Sequence, residues 1–185
     1  GIALSLLHAP DGADGCLTSG GTESILMAMK TARDRAKAQR GIEHAKILAP
    51  HSAHPAFAKA AHYLRMELVQ IPLRADLRAD VAAAERLIDE RTAVVVGSAP
   101  CYPFGIVDPI PELAALAQSH GASCHVDACV GGFLWPFWAE LGEPVPPLDF
   151  RVDGVTTISA DVHKYGYATK GASTILHRDG DHLRR

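Results

Sequence analysis

Six short runs of strand-forming residues, separated by longer stretches of helical periodicity, constrain this chain more than any other feature. The runs fall at residues 47–49, 68–71, 93–97, 123–127, 155–159 and 173–176. The third is Ala93, Val94, Val95, Val96 and Gly97, an unbroken apolar run of the kind found where a sheet is covered on both faces. Between the runs, residues 22–40 place Ile25, Leu26, Met29 and Ala32 on one face with charges opposite. Residues 55–64, 80–90 and 111–120 also read as helices, with Asp80 and Pro111 as start signals and Gly121 as a stop. Pro144, Val145, Pro146 and Pro147 mark an irregular loop. This order predicts a three-layer α/β/α domain with a mostly parallel sheet and right-handed crossovers.

Composition narrows the function. Of 185 residues, 48% are hydrophobic, enough for a real core, and the net charge of -3 argues against a nucleic-acid partner. Cys16, Cys101, Cys124 and Cys129 form no CxxC pair, a pattern that fits a reduced, cytoplasmic protein. No run approaches the roughly 18 apolar residues of a membrane span. The first residue is Gly1, without an initiator methionine or a charged leader, and the last four, His182 to Arg185, carry no helix stop. Both ends read as cuts within a longer protein.

Ligands of such sheets sit beyond the carboxyl ends of the strands, and four motifs fall there. Thr18, Ser19, Gly20, Gly21, Thr22, Glu23 and Ser24 stand directly before the long helix. Glycines admit a close ligand, and free N–H groups of a first helical turn favour an anion. A plain helix cap explains the same residues, and neither a Walker A loop nor GxGxxG is present. Asp127, ending the run His125, Val126, Asp127, is costly to bury unless a cation or several donors meet it. A helix cap or a local salt bridge would serve as well as a protonated pyridine nitrogen.

Lys164, in Ser159, Ala160, Asp161, Val162, His163, Lys164, Tyr165, Gly166, again lies just past a strand. There a lysine can be shielded and made nucleophilic, although solvated loop lysines are commoner. His163 beside it can bind phosphate or steer protons. His51 and His54, spaced as His-x-x-His, lack a third ligand for a metal, so no metal is expected. Stacking of an imidazole on an aromatic cofactor is the better functional reading.

In this order, these segments, together with Cys129, Val130, Gly131, Gly132 and Phe133, closely resemble the sphingosine-1-phosphate lyase family, relatives of the group II decarboxylases that use pyridoxal phosphate. The resemblance runs from about Gly15 to Leu176. It implies the large domain of the aspartate-aminotransferase fold type (fold type I), here truncated, with an N-terminal segment and a small C-terminal domain absent from the 185 residues. It also implies roles. Lys164 holds the cofactor as a Schiff base, Asp127 pairs with the pyridine nitrogen, and His54 stacks on the ring. Gly21 and Thr22 hold the phosphate, with His163 and Ser159 nearby. Ser98 lies near the phenolic oxygen and Lys170 near the substrate, while Tyr165 and Tyr167 line the site or assist proton transfer. His51 and Thr169 depart from the family pattern, where Gln and Pro are usual.

The implied reaction is retro-aldol cleavage of a phosphorylated long-chain base to a fatty aldehyde and phosphoethanolamine. An amino-acid decarboxylase shares the ring chemistry and breaks the bond to a carboxylate instead. A non-catalytic fragment or dimerisation module would be marked by loss of Lys164 or Asp127, and both are present. The expected partners are a small-molecule amine substrate and a second copy in a homodimer.

Overall fold

The computed structural model describes residues 1–184; Arg185, the last residue of the expected cut end, lies outside. Seven strands form one sheet: β1 (Asp14–Thr18), β2 (Lys46–Pro50), β3 (Glu67–Ile71), β4 (Thr92–Ser98), β5 (Ser123–Asp127), β6 (Val155–Ala160) and β7 (Ser173–His177). Their order is β1-β7-β6-β5-β4-β2-β3. β6, β5, β4, β2 and β3 run parallel, and β7 is antiparallel to both its neighbours. This is the mostly parallel sheet that the alternating pattern predicts.

The helices are α1 (Ile2–Leu6), α2 (Gly21–Arg40), α3 (Ala56–Leu64), α4 (Val81–Leu87), α5 (Ile110–Ser119) and α6 (Trp135–Glu140). Successive residues of a strand face opposite ways, so β4 feeds two cores. Val94 and Val96 pack with Ile25 and Met29 of α2 and Phe57 of α3. Val95 packs with Ile110 and Leu113 of α5 and Ala84 of α4. Two helical layers thus cover the sheet and complete the α/β/α sandwich.

The predicted helix signals act as such. Asp80 caps α4 by accepting from the Ala83 N–H at 3.1 Å. Gly121, two residues past α5, takes a left-handed φ of 64°. The helix expected to run to residue 90 stops at Leu87 because Ile88 turns extended. Three elements were not anticipated: β1, α1 and the six-residue α6. β1 carries Asp14 and Gly15 and exposes Leu17, so it lacks an apolar alternation to read. The five-residue α1 lies in the stretch expected only to be a cut end.

Candidate active site

Three residues singled out in the sequence meet on one rung of the sheet. Ser98 of β4 pairs with Asp127 of β5, and Asp127 pairs with Ser159 of β6. All lie at the carboxyl ends of parallel strands, where loops leave the sheet and a cavity opens. That cavity has a volume of about 560 Å³. Gly21, Thr22, His54, Asp127, His163, Lys164 and Lys170 all line it, joined by Ser19, Pro100, Tyr102, Cys129 and Asp161. The amine and the carboxylate, far apart in sequence, therefore face the same space.

The helix end at the cavity wall has a reason to be there. α2 begins at Gly21 with no side-chain cap on its first N–H groups. A Cβ on Gly21 would sit 2.8 Å from Cys129 Sγ and 3.0 Å from Asp161 Oδ1, so only glycine lets the helix start so close to the loops after β5 and β6. Glu23 also lines the cavity, and its carboxylate is engaged locally, accepting from the Ser19 N–H at 2.6 Å and the Ser19 hydroxyl at 2.7 Å. Those bonds hold its carboxyl below the usual range.

Asp127 is buried, and both its bonds fall on one oxygen. Oδ1 accepts from the Cys129 N–H at 3.1 Å and from the Ser159 hydroxyl at 3.3 Å. Oδ2 has no hydrogen-bond partner among the described residues. Burial, with Asp127 and Asp161 close by, pushes the Cys129 thiol well up, so it is a neutral wall of the cavity rather than a nucleophile.

Lys164 is less sheltered than the sequence suggests. Its side chain is 38% exposed, and Nζ pairs with Asp161 Oδ2 at 2.9 Å. Asp161 was not singled out in the sequence, yet it organises this side of the cavity. It also lies 3.5 Å from His163 Nε2 and accepts from Ser173 Oγ at 2.5 Å. Ser173 continues to Ser24 at 3.0 Å and Ser24 to Thr18 at 2.7 Å. A buried hydroxyl chain thus ties the lysine loop to the first turn of α2. A carboxylate three residues before the lysine, just past the end of β6, was the available signal.

His54 is half-buried. Its Nδ1 accepts from the Ala56 N–H at 3.1 Å, fixing the ring at the start of α3, and Tyr102 meets it edge-on at 5.3 Å between centroids. His51 turns away to Gln70 at 3.1 Å. Ser98 and Ser159 do not line the cavity. Ser98 is buried with its hydroxyl unpartnered, and its N–H donates to Asp108 at 2.9 Å. Ser159 lies behind Asp127, fully buried, rather than beside Gly21 and Thr22. Tyr165 and Tyr167 line a different, apolar concavity with Ile2, Leu6, Phe133 and Phe137.

The wall offers the groups that pyridoxal phosphate requires. Uncapped N–H groups of α2 suit a phosphate. His163 Nδ1 is buried with no partner among the described residues, a donor or acceptor still to be satisfied. The Lys164 amine suits an aldehyde, and the free Oδ2 of Asp127 suits a protonated ring nitrogen.

Similarity to known proteins points the same way. The model of the pyridoxal-dependent decarboxylase conserved domain matches residues 2–185. A sphingosine-1-phosphate lyase of Arabidopsis thaliana is 52% identical over 165 residues, 89% of this chain and 30% of that protein. Sphingosine-1-phosphate lyase 1 of Rattus norvegicus is 52% identical over 177 residues, 95% of this chain and 31% of that protein. The solved sphingosine-1-phosphate lyase of Burkholderia pseudomallei superposes with a TM-score of 0.95 at 42% identity, covering 99% of this chain and 44% of that one. The chain spans about 30% of the length of the curated relatives it matches. It belongs to the pyridoxal-dependent decarboxylase conserved-domain family, whose cofactor is pyridoxal phosphate.

Proposed function

We propose that this chain is part of the large, cofactor-binding domain of a carbon–carbon lyase that cleaves a phosphorylated long-chain base to a fatty aldehyde and phosphoethanolamine. The observation that carries the reading is the convergence of Lys164, Asp127 and the uncapped end of α2 on one cavity. Identity above 50% to proteins named as sphingosine-1-phosphate lyases supports the substrate class. Bound pyridoxal phosphate supplies an electron sink for the pair of the breaking bond.

The chain's own groups set up that chemistry. The Lys164 amine would hold the cofactor covalently. Asp127 keeps the ring nitrogen protonated through Oδ2. His54 covers one face of the ring and excludes water from it. The N–H groups of Gly21 and Thr22, with His163, would bind the phosphate. Lys170, on the cavity wall, faces the substrate. We further propose a cytoplasmic homodimer in which the partner completes the site. Among the described residues no helix is long and apolar enough to cross a membrane.

The purified protein is expected to be yellow, and borohydride should fix the cofactor on Lys164. Lys164→Ala should be colourless; unchanged colour and labelling would refute the anchor. A long-chain base phosphate assayed beside a panel of amino acids tests the reaction. Carbon dioxide without aldehyde would make it a decarboxylase, and no turnover of any substrate by cofactor-loaded protein would make it a binding or dimerisation module.

A further inference from the structure

Behind Asp127 runs a line of buried polar groups that the roles above leave unexplained. Thr157 Oγ1 lies 2.9 Å from His125 Nδ1. His125 Nε2 lies 3.3 Å from Ser159 Oγ, and Ser159 Oγ lies 3.3 Å from Asp127 Oδ1. None of the four residues is more than 8% exposed, so bulk water does not satisfy them. Buried polar groups need partners whose donors and acceptors match.

The direction of every bond follows by elimination. An ionised carboxylate only accepts, so the Ser159 hydroxyl must donate its proton to Asp127. That hydroxyl has then spent its only proton, so its oxygen accepts from the Cys129 thiol at 3.4 Å and from His125, which places the imidazole proton on Nε2. A neutral imidazole carries one proton, so Nδ1 accepts and Thr157 donates. His125 is neutral here: complete burial, with His177 nearby, pushes its pKa down to about 3. The opposite tautomer would draw the Ser159 proton to the histidine and leave Asp127 with the Cys129 N–H alone.

We propose that Thr157, His125 and Ser159 are positioning residues forming a one-way hydrogen-bond relay that saturates Asp127 Oδ1 and leaves Oδ2 as the oxygen presented to the cofactor's ring nitrogen. The inference rests on the reading of Asp127 given above and deepens it. The relay fixes the rotation of the carboxylate about the Cβ–Cγ bond. Two adjacent strands share the task, since His125 and Asp127 belong to β5 and Thr157 and Ser159 to β6.

The test is a double-mutant cycle read as the dissociation constant for pyridoxal phosphate. It uses purified wild-type protein, Ser159→Ala, Asp127→Asn and the double variant, each checked for folding by circular dichroism. If Ser159 acts through Asp127, Ser159→Ala weakens cofactor binding about tenfold in the wild-type background and less than about twofold beside Asp127→Asn. An equal loss in both backgrounds, or none in the wild type, overturns the relay while leaving the Asp127 assignment intact. Asp127→Asn with wild-type affinity would instead sink that assignment, and the relay with it. Should Ser159→Ala fail to fold, nitrogen-15 spectra of labelled histidine in the wild-type protein decide the matter. The proton of His125 is expected on Nε2; a proton on Nδ1 overturns the proposal.

Discussion

Beneath α2 and α3 the sheet has two halves, equally dry and differently built. Along the middle of β2 and β4 the residues buried on this face are hydrocarbon, Ile47, Ala49, Val94 and Val96, sealed by Phe57, and polar Thr92 and Ser98 stand only at the two ends of β4. On β5, β6 and β7 the same depth holds His125, Thr157, Ser159, Ser173 and His177. The first half gains from every methylene it removes from water, about 0.8 kcal/mol each. The second gains little from burial, because each polar group exchanges a bond with water for a bond with a neighbour. Its return is orientation: Ser173 holds Asp161 beside Lys164, and Ser159 holds Asp127. The site therefore lies at the polar half's end of the sheet, and the hydrocarbon half is the rigid frame behind it.

The comparison breaks most visibly at Phe57. Its side chain is 1% exposed and its ring lies 5.9 Å from that of His125, so it joins the two halves. Phe57→Ala should cost about 3–5 kcal/mol through lost burial and the cavity left behind. Urea denaturation would show it as a lower midpoint. An effect below about 1 kcal/mol would mean that the frame does not depend on this contact.

Mild acid, between pH 6.5 and 5, should act first on the polar half, before the carboxylates paired elsewhere, such as Asp89 with Lys46, take up protons. Burial pushes the pKa of His125 down to about 3 and that of His177 to about 4, both from 6.5. The unfolded chain takes up these protons first, so the stability they provide is full above pH 6.5. It is lost as pH falls toward the folded values. Between pH 6.5 and 5 each histidine should cost about 2 kcal/mol, at 1.36 kcal/mol per unit. Neither ring nitrogen of His177 has a hydrogen-bond partner among the described residues. His177→Leu should therefore halve the slope without harming stability at neutral pH. A slope unchanged by that variant would place the acid sensitivity elsewhere.

The two halves were not equally legible in the sequence. The hydrocarbon half announces itself, since 93–97 is apolar throughout and could only be a covered strand. Lys164, Asp127, His54 and the glycines before α2 were legible as types of residue at strand and helix ends. Their pairing was not. Ser159 reads as a hydroxyl near a phosphate until the register of β5 and β6 sets it opposite Asp127. Asp161 stands in plain view three residues before Lys164, but its ties to Ser173 and Ser24 join residues 12 and 137 positions away, which no local pattern carries. The exposure of Lys164 escaped for the same reason: a strand end predicts position, and only the packed loops decide how much water remains.

The mildest change sharpens the contrast furthest. Ile47 is fully buried on β2, within the hydrocarbon half and outside the cavity lining. Ile47→Val deletes one methylene without altering a hydrogen bond, so it should cost about 0.5–1.5 kcal/mol. Thr157→Val is the matching change in the other half. It keeps the shape and removes one hydroxyl, the donor to His125. If the halves divide stability from orientation, Ile47→Val lowers the denaturation midpoint and leaves the affinity for pyridoxal phosphate as it was. A loss of cofactor affinity on Ile47→Val, measured at a temperature where the variant is fully folded, would show that the frame also tunes the site. The separation of roles between the two halves would then fail, because a void in hydrocarbon would have moved groups that only hydrogen bonds are held here to place.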